Sequence, residues 1–130
     1  MSISQLFERV GAPLANSRWS WGAVRQDGAV VLRVWQNERK CINGRTHIQL
    51  THHQFFVGNE RDLGYQERLC HIEKIRSGAT CYMVMCEPRN PKEVPCVIKK
   101  FNARELFIAG EIVELGGDLW VPFNARERIQ

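Results

Sequence analysis

A chain of 130 residues with 44% apolar and 25% charged side chains is sized for one domain, residues 1–130, with a single core, and it has no repeat or low-complexity stretch that would predict disorder. Its apolar runs fall well short of the ~20 residues of a membrane-spanning helix, and Met1 to Val10 carries Glu8 and Arg9 in place of a leader's apolar centre. A soluble, cytoplasmic protein with no membrane partner is therefore expected, and its net charge of +4 makes phosphate-bearing partners worth testing.

In chain order, Ser2 to Val10 reads as a short helix. Ser2 and Gln5 form a capping-box pair, and Ile3, Leu6, Phe7 and Val10 recur at helical spacing before Gly11 and Pro13 stop it. Arg18 to Gln36 follows and holds three of the four tryptophans. It predicts a hairpin turning at Asp27-Gly28, with Trp19, Trp21 and Ala23 on one face of the first strand. On the second strand Val30, Leu32 and Val34 share a face, with Val31, Arg33 and Trp35 on the other. That strand ends near Trp35 or continues to Ile42, where Asn43-Gly44 marks a second tight turn into a strand over Arg45 to Leu50.

The segment from Thr51 to Gly64 is the least regular part of the chain and carries His52, His53, Phe55 and Phe56. Histidines and aromatics on such a loop suit a displayed site. Tyr65 to Ser77 predicts the main helix, with Tyr65, Leu69, Ile72 and either Ile75 or Arg76 following its 3.6-residue period and Gly78 as its stop. Cys81 to Cys86 is apolar throughout, as a strand buried on both faces would be. A proline-rich loop then leads to a strand over Cys96 to Phe101, and Glu105 to Ile108 and Glu111 to Leu115 flank Gly110. Gly116-Gly117 turns the chain into a last strand over Asp118 to Phe123. The order predicts an α+β, β-dominated fold, a small barrel or strongly bent antiparallel sheet with about two helices.

The five cysteines are an odd number without a Cys-x-x-Cys pair, which predicts reduced thiols and no metal site. Cys81, Cys86 and Cys96 read as small apolar residues within strands. Cys70 and His71 are adjacent on a helix and point about 100° apart, so they make no simple nucleophile and base pair. A small hydrolase would have to join His52 or His53 to another cysteine, such as Cys41 or Cys86. No cofactor is expected.

Charge distribution favours a different class. Residues 1 to 60 hold seven Lys/Arg against four Asp/Glu, residues 61 to 104 nine against five, and residues 105 to 130 two against five. Arg18, Arg25, Arg33, Arg39, Lys40 and Arg45 interleave with Trp19, Trp21 and Trp35, and Lys99 and Lys100 stand in a later strand. Cations make sequence-blind phosphate contacts, and an aromatic face stacks an exposed base for about 1–3 kcal/mol. The expected nucleic-acid surface is Arg18, Trp19, Trp21, Arg33, Trp35, His52, His53, Lys99 and Lys100, reading a modified or unpaired base. The competing reading makes Trp19 and Trp21 core residues, and a third makes the aromatics anchors for a protein partner. Monomer and homodimer are both open, because a small β protein leaves edge strands unpaired.

With the tryptophan hairpin, the helix Gly-Tyr-Gln-Glu-Arg-Leu-Cys-His-Ile-Glu-Lys-Ile and the strand Cys-Tyr-Met-Val-Met-Cys in view, the chain resembles small bacterial modules that accompany defence-system nucleases. Its β-rich outline with an early tryptophan-bearing strand is also similar to the PUA-like domains. The resemblance implies a DNA- or RNA-reading module without a catalytic centre of its own, and it assigns no site residue.

Overall fold

The computed structural model describes residues 1–52, 63–93 and 97–129. His53 and Cys96, and with them Phe55 and Phe56, lie outside the described residues. The elements in order are α1 (Ile3–Arg9), β1 (Gly22–Val24), β2 (Val30–Trp35), β3 (Arg39–Ile42), β4 (Arg45–Gln49), α2 (Leu63–Arg76), β5 (Cys81–Pro88), β6 (Ile98–Phe101), β7 (Glu105–Ala109), β8 (Val113–Leu115) and β9 (Asp118–Arg128). None of the described helices is long and apolar enough to cross a membrane.

The fold is α+β and β-dominated, built on one bent sheet ordered β1-β2-β5-β7-β9-β4-β3, with β6 added beside β5 and β8 beside β9. The sheet is mixed where an antiparallel one was expected: β2 and β5 run parallel, from Val30 opposite Cys81 to Trp35 opposite Cys86. The long connection through β3, β4 and α2 makes that crossover possible. Beyond Trp35 the chain bends at Gln36 to Glu38 and resumes as β3, which pairs with β4 instead of β5. Glu38 N–H donates to the Trp35 carbonyl at 3.0 Å, and Gln49 N–H donates to that of Glu38 at 3.0 Å, fixing the corner. Strands β2 and β3 thus form one kinked strand that changes partner and rolls the sheet toward, but not into, a closed barrel.

Strand alternation fills the roll. Val30, Leu32 and Val34 of β2, Cys81 and Met83 of β5, Ile48 and Val121 form the inner core, with Ile72 of α2 inserted. The opposite faces of β2 and β5, Val31, Val84 and Cys86, pack under Leu6 and Phe7 of α1. Strand β5 is therefore buried on both faces, as its unbroken apolar run predicts. The cap of α1 forms as expected, with Gln5 N–H donating to Ser2 Oγ at 3.1 Å and Ser2 N–H to Gln5 Oε1 at 2.7 Å. Asn43 and Gly44 adopt positive φ, 51° and 79°, at the β3–β4 turn.

Two local expectations change. The strand expected to begin at Arg18 is only Gly22–Val24, and before it Trp19 lies in a turn and Trp21 at a bend. Side-chain and turn bonds take the groups a strand would use: Ser20 N–H donates to the Asn16 carbonyl at 2.9 Å, Asn16 N–H to Ser20 Oγ at 3.0 Å, and, from the main helix, Glu67 Oε1 accepts Trp21 N–H at 3.2 Å. The helix begins at Leu63, and its inward face is Gly64, Arg68, His71 and Ile72, while Leu69 is exposed. Ile72 and Ile75 pack against the core as expected, whereas one turn earlier Arg68 takes the inward position expected of Leu69.

Arg68 spans the gap that the roll leaves open. Its buried guanidinium donates through Nη1 to the Leu50 carbonyl just past β4 at 3.1 Å. Through Nη2 it donates to the carbonyls of Trp21 at 3.2 Å and Arg33 at 2.6 Å, on the β1 and β2 side. Burial lowers its pKa to about 10, so it remains charged at neutral pH. Replacing Arg68 with alanine leaves three carbonyls without this donor and should cost at least about 3 kcal/mol, read as a lower urea midpoint. Arg68→Lys should recover only part of that, since one ammonium lacks the planar fork that spans both margins. His71 is buried beside it, and burial, then the charges of Arg68 and Lys74, push its pKa from 6.5 down to about 4. The unfolded chain takes a proton there that the folded chain refuses, so stability should fall as pH drops from about 6.5 toward 4. Urea melts at pH 7 and pH 5 should show this slope, and His71→Leu should flatten it.

Candidate functional site

The residues expected to form a tryptophan-centred surface are distributed as follows. Trp21 lies against the start of α2: a Cβ on Gly64 would stand 2.4 Å from its Nε1. The Tyr65 ring is tilted against it at 6.3 Å, and the Arg68 guanidinium lies 6.0 Å from its ring centre. Trp19 is half-buried and its carbonyl borders the same glycine. Arg33 is largely buried beside Trp21, whose carbonyl accepts its N–H at 2.8 Å, and burial lowers its pKa. Trp35 packs on the α1 side of the sheet, and Arg18 is exposed in the loop before Trp19. His52 pairs through Nε2 with the Glu38 carboxylate at the β2–β3 corner. Lys99 and Lys100 are exposed and lie 3.9 and 3.3 Å from the Glu87 carboxylate.

Among the eight of these positions that the structure describes, Lys100 alone lines a groove of about 830 Å³. The groove is the polar mouth of the rolled sheet. Along β5 the inward positions run Cys81, Met83, Met85 and then Glu87, and along β2 they run Val30, Leu32, Val34 and then Gln36. Both strands turn from apolar to polar where the roll opens. Phe107 of β7 and Phe123 of β9 meet edge to face there, with ring centres 5.4 Å apart, and Phe101 adds a third ring. Around these rings stand four cations from four strands: Arg39 of β3, Arg45 of β4, Lys100 of β6 and Arg126 of β9.

A β-bulge aims Arg126 inward. Phe107 pairs with Arg126, Ile108 with Ala125 and Ala109 with Phe123, so Asn124 is the extra residue without an opposite. Without it, strict alternation from Phe123 would send residue 126 to the other face. The bulge also presents Asn124, whose Oδ1 accepts Arg45 Nη2 at 2.7 Å and so braces one cation of the groove. Gly110 leaves room for it: a Cβ there would stand 2.6 Å from Asn124 Oδ1 and 2.8 Å from Pro122 Cγ. On the far side, Asn102 accepts the N–H groups of Arg104 at 2.8 Å and Glu105 at 3.1 Å with its own Oδ1, holding the β6–β7 turn beside the groove.

The arrangement favours binding of a planar, anionic ligand. The described cysteines offer little nucleophilic chemistry beside it: burial pushes the Cys81 thiol up to about 12 and the Cys86 thiol up to about 11, and both are buried. Cys41 and Cys70 are exposed and neither lines the groove. Among the described residues no three His, Cys, Asp or Glu side chains are grouped to hold a metal ion.

Sequence reasoning reached Arg39, Arg45 and Lys100 as cations without grouping them, and it missed Phe107, Phe123, Asn124 and Arg126. The one available signal was the appearance of Gln36 and Glu87 at the ends of inward-facing apolar series, which marks where a core turns into a mouth.

Comparison of the chain with protein-family models, curated proteins and solved structures returned no match.

Gly110→Ala should strain the bulge and disturb the Arg45–Asn124 contact. It is expected to lower stability by about 1–3 kcal/mol in urea unfolding, as overpacking against backbone-anchored neighbours does.

Proposed function

We propose that this chain is a nucleic-acid-binding module whose interface is the groove at the mouth of the rolled sheet. One observation carries the reading: Arg39, Arg45, Lys100 and Arg126 converge from four strands on a floor of phenylalanine rings, with Glu87 the one carboxylate among the described lining side chains. Cations in that number suit phosphodiester oxygens, and aromatic rings between them suit bases. A guanidinium braced by a side-chain amide, as Arg45 is by Asn124, is already oriented for a two-pronged phosphate contact. The basic body of the chain adds a long-range attraction toward the same class of partner. The resemblance to PUA-like, base-reading domains implies the same function, in a cytoplasmic protein of bacterial type.

Glu87 sets the sign of a diagnostic experiment. It neutralises Lys100 and approaches Lys99, so it competes with an incoming phosphate for both. Binding of a fluorescent oligonucleotide should weaken steeply with salt. Arg45→Ala should weaken it further and reduce the slope of log K against log salt by about 1. Glu87→Gln should tighten binding by about two- to fivefold, the opposite of what a cationic ligand would show. Binding that ignores salt, or that poly-glutamate displaces as effectively as the oligonucleotide does, would overturn the reading in favour of an acidic protein partner.

A further inference from the structure

We infer that the groove seats an unpaired nucleobase together with its flanking phosphates, so that the chain takes single-stranded in preference to duplex nucleic acid. The inference rests on the nucleic-acid reading of the same groove and adds the form of the ligand.

The shape of the site supports it. The phenylalanine floor is recessed between strands, at the end of the inner core, and Phe107 and Phe123 are half-buried there. In a duplex the base faces are hidden in the stack and only their edges reach a protein, so a recessed aromatic floor has no partner. A base outside the stack presents its face, and aromatic side chains bind such a face with little regard to sequence. A volume of about 830 Å³ is ample for one base and its sugar, with phosphates reaching the surrounding cations.

One planar group already occupies the position a base would take. The Arg126 guanidinium lies 5.5 Å from the centre of the Phe107 ring. Its side chain is 67% exposed and its tie to Glu105 is a long one at 3.9 Å, so lifting it from the ring costs little. A base that enters beneath it would then be covered on one face by Phe107 and on the other by a guanidinium, itself a good stacking plane.

The groove also carries polar groups for the base's edge. The Asn102 amide oxygen is taken by the backbone of the β6–β7 turn and the Asn124 amide oxygen by Arg45, which orients both amides. Each has an NH2 group remaining for a ring or carbonyl acceptor, a type of group that every base carries on an edge freed from pairing.

The test uses the full chain and fluorescence anisotropy at moderate salt, with three probes: a mixed-sequence single strand of about 12 nucleotides, the same strand annealed to its complement, and a strand of equal length built from abasic units. The intact single strand is expected to bind about tenfold more tightly than either of the others. Phe107→Leu should remove most of that advantage, with melting temperature confirming that the variant folds. Equal affinity for the intact and abasic strands, or for single strand and duplex, would overturn the inference while leaving phosphate-driven nucleic-acid binding intact. That comparison needs no variant, so it stands even if Phe107→Leu fails to fold. Displacement of the strand by a nucleoside monophosphate at comparable concentration would overturn it in favour of a free nucleotide. Failure of all three probes to bind at low salt would remove the nucleic-acid reading itself.

Discussion

A guanidinium held under a helix, away from water, is the contact on which the arrangement of this protein depends. Arg68 donates to carbonyls of Leu50, Trp21 and Arg33, groups that belong to opposite margins of the same bent sheet. A rolled sheet that stops short of closure leaves backbone acceptors facing one another across a gap too wide for a direct ladder. An arginine can span that gap because its donors are spread along a rigid planar fork. Its charge has no side-chain hydrogen-bond partner in this set of contacts, so the carbonyl dipoles supply the stabilisation that water gave up. Trp21, which the sequence suggested as a base platform, is drawn into the same arrangement by its carbonyl and by its ring.

Closing one end of the roll in this way leaves the other end open. The inner series of β2 and β5 are apolar where α2 covers them and turn polar beyond Val34 and Met85, and the groove forms at that transition. Its cations come from strands far apart in the chain, β3, β4, β6 and β9, and they converge because the β2–β3 corner carries the chain from one side of the sheet to the other. The bulge at Asn124 completes the set by turning Arg126 inward and bracing Arg45 with one inserted residue. Stability and the candidate interface are thus separated along the axis of the roll, which permits the groove to carry like charges without placing them next to the buried Arg68.

How much of this was legible depends on the range of the interaction involved. The capping box at Ser2, the turn glycines, the two-faced burial of Cys81 to Cys86 and the existence of the main helix follow from local rules, and each can be read from a few neighbouring residues. The inward phase of that helix could not be read in the same way. Ile72 and Ile75 do face the core, but the positions buried ahead of them are Gly64, Arg68 and His71, none of which carries an apolar side chain of any size. The truncated first strand was equally hidden, because Glu67, 46 residues away, supplies the acceptor for Trp21.

From its residues alone the chain determined its class: a β-dominated α+β fold, a basic body, and cations interleaved with aromatics. These follow from composition and from periods of 2 and 3.6, which act within one element. Only the tertiary structure decided that the sheet is mixed, that Arg68 bridges its margins, and that Arg39, Arg45, Lys100 and Arg126 share one groove over Phe107 and Phe123. The physical reason is that strand order, the direction of pairing and a one-residue bulge depend on contacts between distant segments, and a single inserted residue reverses which face every later side chain takes.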